Sequence, residues 1–171
     1  MPSLSITAQQ SEARSAEREF LRHTLATLAY RGGKVVRGVP SEVSGFKAGE
    51  GIRTPGEILA HIGDLLDWAL GLARGKHVWN ESPRLSWEDQ VARFFANLQD
   101  FDSYLNSAET LGWPPERLFQ GPIADALTHV GQISMLRRMA GAPVRGENYF
   151  KAEIEIGRVG TDQSSKRVEF D

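Results

Sequence analysis

The sequence predicts an all-α fold, a four-helix bundle with a long first loop and a mostly irregular C-terminal tail. Two observations lead to this class. Apolar residues recur at three- and four-residue spacing in four long segments, as one face of a helix requires. Stretches rich in Gly, Pro and Ser separate these segments, whereas strand-like alternation is confined to one short stretch near the C-terminus. Four helices that each carry one apolar face bury those faces against one another, which favours a bundle.

The first predicted helix extends from about Ser11 to Val36, with Gly32 and Gly33 marking where it weakens. The segment from Gly38 to Arg53 is then rich in Gly, Ser, Pro and Lys and forms the long first loop. Loops of this length in compact domains are often functional or mobile. The apolar positions that recur at three- and four-residue spacing along this helix are Phe20, Leu21, Leu25, Leu28 and Ala29.

The second and third helices have clear start signals. Thr54 can cap the second helix, and Glu57, three residues later, completes a capping box. Its apolar stripe continues to about Arg74. The segment Ser86–Asp89 opens the third helix, which ends near Asn106. The second helix contributes Ile58, Ile62, Leu65, Leu66, Ala69 and Leu72 to the core, and the third contributes Val91, Phe94, Phe95, Leu98 and Tyr104.

The C-terminal third contains the last helix and the tail. A short helical turn begins at Pro114–Glu116 and is expected to be interrupted by Gly121 and Pro122. The fourth long helix follows from Pro122 to about Ala140, and Gly141 with Pro143 closes it. The segment Ala152–Ile156 alternates like a strand, and the polar residues 160–171 are expected to be loose. We therefore predict one domain over residues 1–171, with the bundle at about 11–141 and an extension at 142–171.

Composition excludes several classes of function. The chain has 171 residues, a formal net charge of −2 and no cysteine. A near-neutral charge is not typical of a nucleic-acid-binding protein, and without cysteine there is neither a disulfide framework nor a cysteine nucleophile. Residues 1–14 lack the pattern of a secretory signal, and no apolar run is long enough to span a bilayer. We expect a cytoplasmic protein that acts on a small molecule, without nucleic-acid or membrane partners.

Three residues form the candidate metal site. His61 lies inside the apolar stripe of the second helix, so it points toward the interior. Asp125 and His129 are four residues apart on the fourth helix and therefore share a face, where a carboxylate and an imidazole can chelate one ion. Bundle metal sites are built from such groups on facing helices. Two imidazoles and one carboxylate leave coordination positions open, as a catalytic ion requires; Zn²⁺ is the expected metal, and Ni²⁺, Mn²⁺ or Fe²⁺ accept the same ligands.

Each of these residues also has a structural interpretation. A histidine on an apolar face is commonly a hydrogen-bonded core residue. An Asp–His pair at this spacing can be a local hydrogen bond, and a carboxylate in the first turn of a helix complements the helix dipole. The sequence identifies no general base beyond the three ligands, and the usual nucleotide-binding and serine-hydrolase motifs are absent.

Other residues near these segments were assigned mostly structural roles. Trp68, seven residues after His61, either walls a pocket or packs in the core, and His77 is expected to be solvated. His23 is expected at the surface or core edge. Arg137 and Arg138 are placed to complement the dipole at the end of the fourth helix. The segment Tyr149–Lys151 follows the bundle and is in a position to fold back over its open end.

The two candidate segments resemble those of the DinB-like (YfiT-like) superfamily. Residues 54–62, TPGEILAHI, look like the segment around the first metal histidine of these proteins. Residues 125–132, DALTHVGQ, resemble their fourth-helix motif, usually His-x-x-x-His-Arg-Gly-Gln or a carboxylate variant. The resemblance extends over roughly residues 15–150. Asp125 departs from it by standing where histidine is common, and Val130 by standing where arginine is common.

This resemblance implies an up-down-down-up four-helix bundle with a three-ligand metal site at one end, often as a homodimer. His61, Asp125 and His129 would be the ligands. Some members use a low-molecular-weight thiol in transferase or isomerase reactions, and the ion could equally activate water for hydrolysis. The non-enzymatic alternative is a helical bundle that binds or dimerises without a functional metal site.

Overall fold

The computed structural model describes residues 3–170, with side chains from residue 9 onward. The ends of the predicted domain, Met1, Pro2 and Asp171, lie outside the described residues. The fold is mostly helical, which confirms the all-α prediction. The helices, numbered in chain order, are α1 (Ser3–Val36), α2 (Ser41–Ser44), α3 (Pro55–Ala73), α4 (Trp87–Asn106), α5 (Pro115–Leu118) and α6 (Ala124–Met139).

The four long helices share one hydrophobic core. Both α1 and α3 pack against α4 and against α6. Burial of their apolar faces supplies the main driving force, about 1.5–3 kcal/mol for each fully buried large aliphatic side chain. The most completely buried of these side chains include Leu25, Leu28, Leu59, Ile62, Leu66, Leu98 and Phe101.

The first helix is longer than predicted. It begins at Ser3 rather than Ser11 and continues through Gly32 and Gly33, because no proline interrupts residues 3–36 and tertiary packing offsets the weak helix propensity of glycine. At Gly32 the ring of Phe94 in α4 lies so close that an added Cβ would be 2.5 Å from its Cζ. This glycine therefore permits the close approach of α1 and α4 rather than ending the helix.

The start signals of α3 and α4 are confirmed. In the capping box of α3, the backbone N–H of Glu57 donates to Thr54 Oγ1 at 3.2 Å, and the N–H of Thr54 donates to the Glu57 carboxylate at 2.8 Å. Ser86 caps α4 by accepting from the N–H of Asp89 at 3.1 Å. The cap of α3 sets where the helix begins and hence the direction in which His61 faces.

The predicted interruption at Gly121 and Pro122 is wrong. A single π-helical turn, Phe119–Ile123, connects α5 directly to α6, so the helical chain continues from Pro115 to Met139. In a regular α-helix the ring of Pro122 would clash with a carbonyl of the preceding turn. The wider π turn accommodates the ring without breaking the helix, and π turns of this kind occur frequently at functional sites.

The tail differs from its prediction in two ways. No strand forms at Ala152–Ile156; the two-residue strands β1 (Gly146–Glu147) and β2 (Glu169–Phe170) pair antiparallel instead. Alternation alone does not make a strand without a partner, and Ile156 is exposed. The described end of the tail is also held in place rather than loose, since Asn148 donates its N–H to the carbonyl of Val168 at 2.9 Å.

A buried ionic cluster holds this tail against α1. The ammonium group of Lys34 contacts the carboxylates of Glu147 at 2.6 Å and Glu169 at 2.8 Å, and Tyr30 donates its hydroxyl to Glu147. Burial alone would raise the pKa of Glu147, but the hydrogen bonds from Lys34 and Tyr30 outweigh it and lower the pKa. For Lys34, burial acts to lower the pKa, and the two carboxylates raise it overall. We call Tyr30, Lys34, Glu147 and Glu169 the tail anchor.

Within residues 3–170, every helix falls short of the length or the apolar character that crossing a bilayer requires.

Candidate metal centre

The structure brings the three predicted ligands together. His61 comes from the second turn of α3, and Asp125 and His129 come from the first half of α6. One potential ligand atom from each lies within 4.8 Å of the others. Residues separated by more than 60 positions in the chain meet here because α3 packs against α6.

The three groups are close but do not hydrogen-bond to one another. His129 Nε2 lies 3.5 Å from Asp125 Oδ1, and His61 Nε2 lies 3.9 Å from Asp125 Oδ2. Hydrogen bonds of this type are about 2.7–3.2 Å long. The two imidazole rings meet edge to face, with centroids 4.8 Å apart. These distances are longer than hydrogen bonds, but they are within the range of ion pairs between a carboxylate and a protonated imidazole.

The orientation of His129 is set by Gln132, one turn further along α6. His129 Nδ1 lies 2.7 Å from the amide oxygen of Gln132. Because that oxygen can only accept, the contact requires a proton on Nδ1, and in the neutral imidazole this leaves the Nε2 lone pair on the side of Asp125. A fixed tautomer of this kind is the usual arrangement for a histidine that binds a metal. In the sequence, Gln132 is the last residue of the 125–132 segment and carries no signal of this role.

Burial and charge favour the neutral form of His61. Its pKa is lowered first by desolvation and then by the nearby His129 and Arg53, with Asp125 acting in the opposite direction. A metal binds the neutral imidazole, so this environment favours ligation at neutral pH. The side chain of Asp125 is 48 % exposed, compared with 23 % for His61 and 12 % for His129, so the group opens to solvent on the Asp125 side.

The donor set fits a divalent ion. With metal–ligand bonds of about 2.0–2.2 Å, two ligands at a tetrahedral angle are separated by about 3.4 Å. The His129–Asp125 distance of 3.5 Å already matches this value, and the His61–Asp125 distance of 3.9 Å is about 0.5 Å longer. Two nitrogens and one oxygen are ligands that Zn²⁺ accepts, with further positions left for other molecules.

An ordered loop covers His61. The ring of Trp79, in the loop of residues 74–86, lies 5.6 Å from the imidazole. The backbone N–H of Ser82 donates to the buried carboxylate of Asp64 at 3.1 Å. The guanidinium group of Arg93 donates to the same carboxylate at 2.8 Å and to the Ser82 hydroxyl at 2.8 Å. Burial acts to lower the pKa of Arg93, but its hydrogen bonds to Asp67 and Asp64 raise it overall. The two hydrogen bonds of Ser82 hold the loop, and therefore Trp79, against α3 and α4.

Sequence analysis missed Trp79, Asp64 and Arg93. The one available signal was Asp64, an ionisable residue inside the apolar stripe of α3 and three residues after His61. A buried carboxylate requires a partner, but the sequence does not say which of the twenty Lys and Arg residues supplies it.

An open depression of about 410 Å³ adjoins the three-residue group. It is lined by Trp68, Gln120, Gly121, Ala124, Asp125 and Thr128. Both interpretations of Trp68 hold in part, because its side chain packs against the core and also lines the depression. His77 is exposed, as predicted, and its ring lies 5.7 Å from that of Trp68 and 5.9 Å from that of Trp113.

The other candidates lie elsewhere. His23 is exposed on α1 and does not belong to the three-residue group. Arg137 is buried and donates to the carbonyls of Val35 at 2.8 Å and Ala142 at 3.0 Å, so it satisfies the C-terminal ends of α1 and its own helix. Tyr149 packs edge to face on Tyr30, with ring centroids 6.3 Å apart, and therefore contacts the C-terminal part of α1.

Comparisons of the chain with protein-family models, with curated proteins and with solved structures found no match in any of the three.

Proposed function

We propose that the protein is a metal-dependent enzyme in which His61, Asp125 and His129 hold a divalent ion. One observation carries the proposal: nitrogen and carboxylate ligands from two helices converge without hydrogen-bonding to one another, and Gln132 fixes the tautomer of one of them. Zn²⁺ is the first choice of metal, and Ni²⁺, Mn²⁺ or Fe²⁺ are alternatives with the same ligands.

We further propose that the fold is the up-down-down-up bundle of the DinB-like superfamily. Contacts along the helices support this direction of the chain. Arg137 near the end of α6 reaches Val35 at the end of α1, so these two helices run the same way. Arg22 in α1 pairs with Asp102 near the end of α4, which supports an antiparallel direction of α4 relative to α1.

The loop between α3 and α4 supports the same topology. Ser82 contacts Asp64 in the middle of α3, so residues 74–86 run back along the helix instead of making a tight turn. A returning connection of this kind lets α3 and α4 run in the same direction. Together with the contacts of Arg137 and Arg22, it supports the proposed order up, down, down, up.

The chemistry of the site follows from its open side. A bound ion would lower the pKa of water toward neutrality or hold a thiol as its thiolate. The protein has no cysteine, so a thiol nucleophile would come from a small molecule. Asp125 leaves one side of the site accessible, Trp79 covers His61, and Gln132 holds His129 in place. We therefore propose a thiol-dependent transferase or isomerase, or a hydrolase, acting on a small-molecule substrate.

Exposed apolar residues support a homodimer. Phe20 and Phe119 form a ring pair 6.4 Å apart at the surface of α1 and the π turn, and Met135 and Met139 are exposed along α6. Exposed large apolar side chains that lie together mark interfaces between protein chains, and the Phe20–Phe119 ring pair is one such place. Light scattering of purified protein tests the oligomeric state, and a strictly monomeric mass at all concentrations contradicts this part of the proposal.

Metal content tests the function directly. Untagged protein is purified and analysed by elemental mass spectrometry, with near-stoichiometric divalent metal as the expected result. His61→Ala and His129→Ala are expected to lose the metal, whereas the exposed His23→Ala retains it as the matched control. Wild-type protein that is isolated metal-free and also fails to bind added Zn²⁺ or Ni²⁺ would overturn the proposal in favour of a non-catalytic binding or dimerisation protein.

A further inference from the structure

We propose that Asp64 is a positioning residue that holds Trp79 over His61 by way of Ser82, and that it thereby controls access to this ligand of the candidate metal centre. This deepens the proposed function by naming what regulates the same site. The consequence for the ion rests on that function, whereas the cover over His61 belongs to the metal-free protein and can be tested there.

Asp64 is a buried carboxylate that binds the loop of residues 74–86 as well as α4. Its Oδ1 accepts from the backbone N–H of Ser82 at 3.1 Å and from Arg93 at 2.8 Å. Arg93 also pairs with the half-exposed carboxylate of Asp67, so it keeps an acidic partner without Asp64. Burying a carboxylate is costly unless it is paired, and the exposed Asp67 avoids most of that cost. What the buried position of Asp64 adds is therefore the contact with Ser82.

Ser82 is the residue that attaches the loop to the helices. Within residues 74–86, all of which the structure describes, it is the one residue that is not exposed. In the stretch 77–85 it is also the one residue that hydrogen-bonds to the rest of the described chain, through its N–H to Asp64 and its hydroxyl to Arg93. Without these bonds the whole stretch would lack a hydrogen-bonded attachment, and its conformational freedom would rise.

Trp79 lies three residues before Ser82 and contacts His61. The centroid of its ring is 5.6 Å from that of the imidazole and 5.8 Å from that of Trp68. Trp79 is exposed and His61 only partly so, which places the indole on the solvent side of the imidazole. Ring contacts of this kind are weaker than hydrogen bonds to a carboxylate, so the position of Trp79 depends on the attachment of Ser82.

Control of access follows from this arrangement. The three-residue group opens to solvent beside Asp125, and Trp79 covers it beside His61. Loss of the Asp64 carboxylate would release the loop and open the second side as well. In the metal-loaded protein, the ion would then exchange with a chelator faster than in wild type.

The reactivity of His61 in the metal-free full chain tests the cover. Diethyl pyrocarbonate modifies neutral imidazoles, and the four histidines lie in four different tryptic peptides, so mass spectrometry gives a rate for each. The reaction is run at about pH 8, above the ordinary histidine pKa of about 6.5. Because the pKa of His61 is lowered, its imidazole is neutral at this pH with or without the charge of Asp64.

Two variants should expose His61, and a third is the matched control. Asp64→Ala removes the acceptor of the Ser82 N–H, and we expect it to raise the rate at His61 about tenfold, the effect of one hydrogen bond to a charged group. Trp79→Ala removes the ring itself and should raise the rate by a similar factor. Asp67→Asn removes the exposed carboxylate of the same cluster and leaves Ser82 bound, so the rate should stay within about twofold of wild type.

Two further variants separate positioning from a loss of charge or stability. Asp64→Asn keeps an oxygen acceptor for the Ser82 N–H without the charge, so it should restore most of the protection of His61. In the double variant of Asp64→Ala and Trp79→Ala, the rate should equal that of either single variant, because a ring that is absent cannot be released. The exposed His23 on α1 should react at the wild-type rate in every variant.

The outcomes distinguish this proposal from the proposed function. Unchanged reactivity of His61 in Trp79→Ala or in Asp64→Ala overturns the positioning role. It is also overturned if Asp64→Asn or Asp67→Asn raises the rate as much as Asp64→Ala does, if the double variant adds the two effects, or if all four histidines become more reactive. If the rates change as expected but the protein binds no divalent metal, the cover over His61 is supported and the proposed function fails.

Discussion

The tail anchor and the candidate metal centre both contain partly or fully buried ionisable groups. They differ in whether those groups hydrogen-bond to one another. In the tail anchor, Lys34 has two carboxylate partners and Glu147 accepts from both Lys34 and Tyr30. At the candidate metal centre, the closest approaches between His61, Asp125 and His129 are 3.5 and 3.9 Å, too long for hydrogen bonds. The ionisable groups of the tail anchor hydrogen-bond to one another. Those of the candidate metal centre do not, so their nitrogen and oxygen atoms can bind an ion.

This difference indicates where stability and function lie. Removing one member of a satisfied buried cluster leaves an uncompensated charge, which is costly. Removing a ligand from a site that makes no internal hydrogen bond costs the apoprotein little, and the loss becomes visible when the ion is added. Substitutions in the two regions test this contrast.

Removing the cation of the tail anchor should have the largest effect. Lys34→Ala leaves the buried Glu147 carboxylate without its main partner, and we expect the free energy of unfolding to fall by about 3–5 kcal/mol. Urea denaturation followed by circular dichroism measures it. Lys166→Ala removes the cation of an exposed pair with Glu153 and is the matched control, with an expected loss below about 1 kcal/mol. Equal losses in the two variants would contradict the contrast.

Metal should stabilise the protein through its ligands. At a free Zn²⁺ concentration 100 times the dissociation constant, the gain in unfolding free energy is about 2.7 kcal/mol. We expect Asp125→Asn to leave the unfolding free energy of the metal-free protein within about 0.5 kcal/mol of wild type, because Asp125 accepts no hydrogen bond from the described residues. The same variant should lose most of the stabilisation by Zn²⁺. Thermal denaturation of wild type and variant, with and without Zn²⁺, measures both effects. Strong destabilisation of the metal-free variant would show that Asp125 has a structural role.

Gln132 should act as a positioning residue for the ion. Gln132→Ala removes the acceptor that holds the Nδ1 proton of His129, and we expect Zn²⁺ affinity to fall by about 10- to 100-fold. Competition with a fluorescent chelator measures the affinity. Gln132→Glu keeps an oxygen acceptor at the same place and should restore most of it. Affinity that is insensitive to both substitutions would remove Gln132 from the site.

The tail anchor should also make stability depend on pH at both extremes. The pKa of Glu147 is lowered in the folded protein, so its contribution is present above its usual value of 4.5 and is lost as the pH falls through the folded pKa. The pKa of Lys34 is raised, so its contribution is present below its usual value of 10.5 and is lost as the pH rises through the folded pKa. Glu147→Gln should flatten the acid side of a stability–pH profile, and an unchanged slope would contradict this account.

Residue patterns within a few positions of the chain predicted the features that depend on residues close in sequence. Thr54 and Glu57 form the capping box that their spacing predicted, and the helical face that Asp125 shares with His129 follows from their four-residue separation. Their proximity to His61 required only that α3 and α6 pack together. Long-range partners had no such signal, because the Ser82–Asp64–Arg93 contacts and the pairing of β1 with β2 join residues distant in sequence. These contacts place Trp79 and the tail, which is why both were missed.

The π turn at Phe119–Ile123 has a consequence for the angular phase of α6. Each α-helical residue advances about 100° around the axis, so one residue inserted or deleted in this stretch rotates everything after it relative to everything before it. Leu118 before the turn and Ala126 and Val130 after it all face the core. This rotation of α6 about its axis, relative to α5, also directs Asp125 and His129 toward His61. Deletion of Gly121 alone would rotate the pair by about 100° out of line, so the ligand geometry depends on the length of a segment that contains none of the ligands.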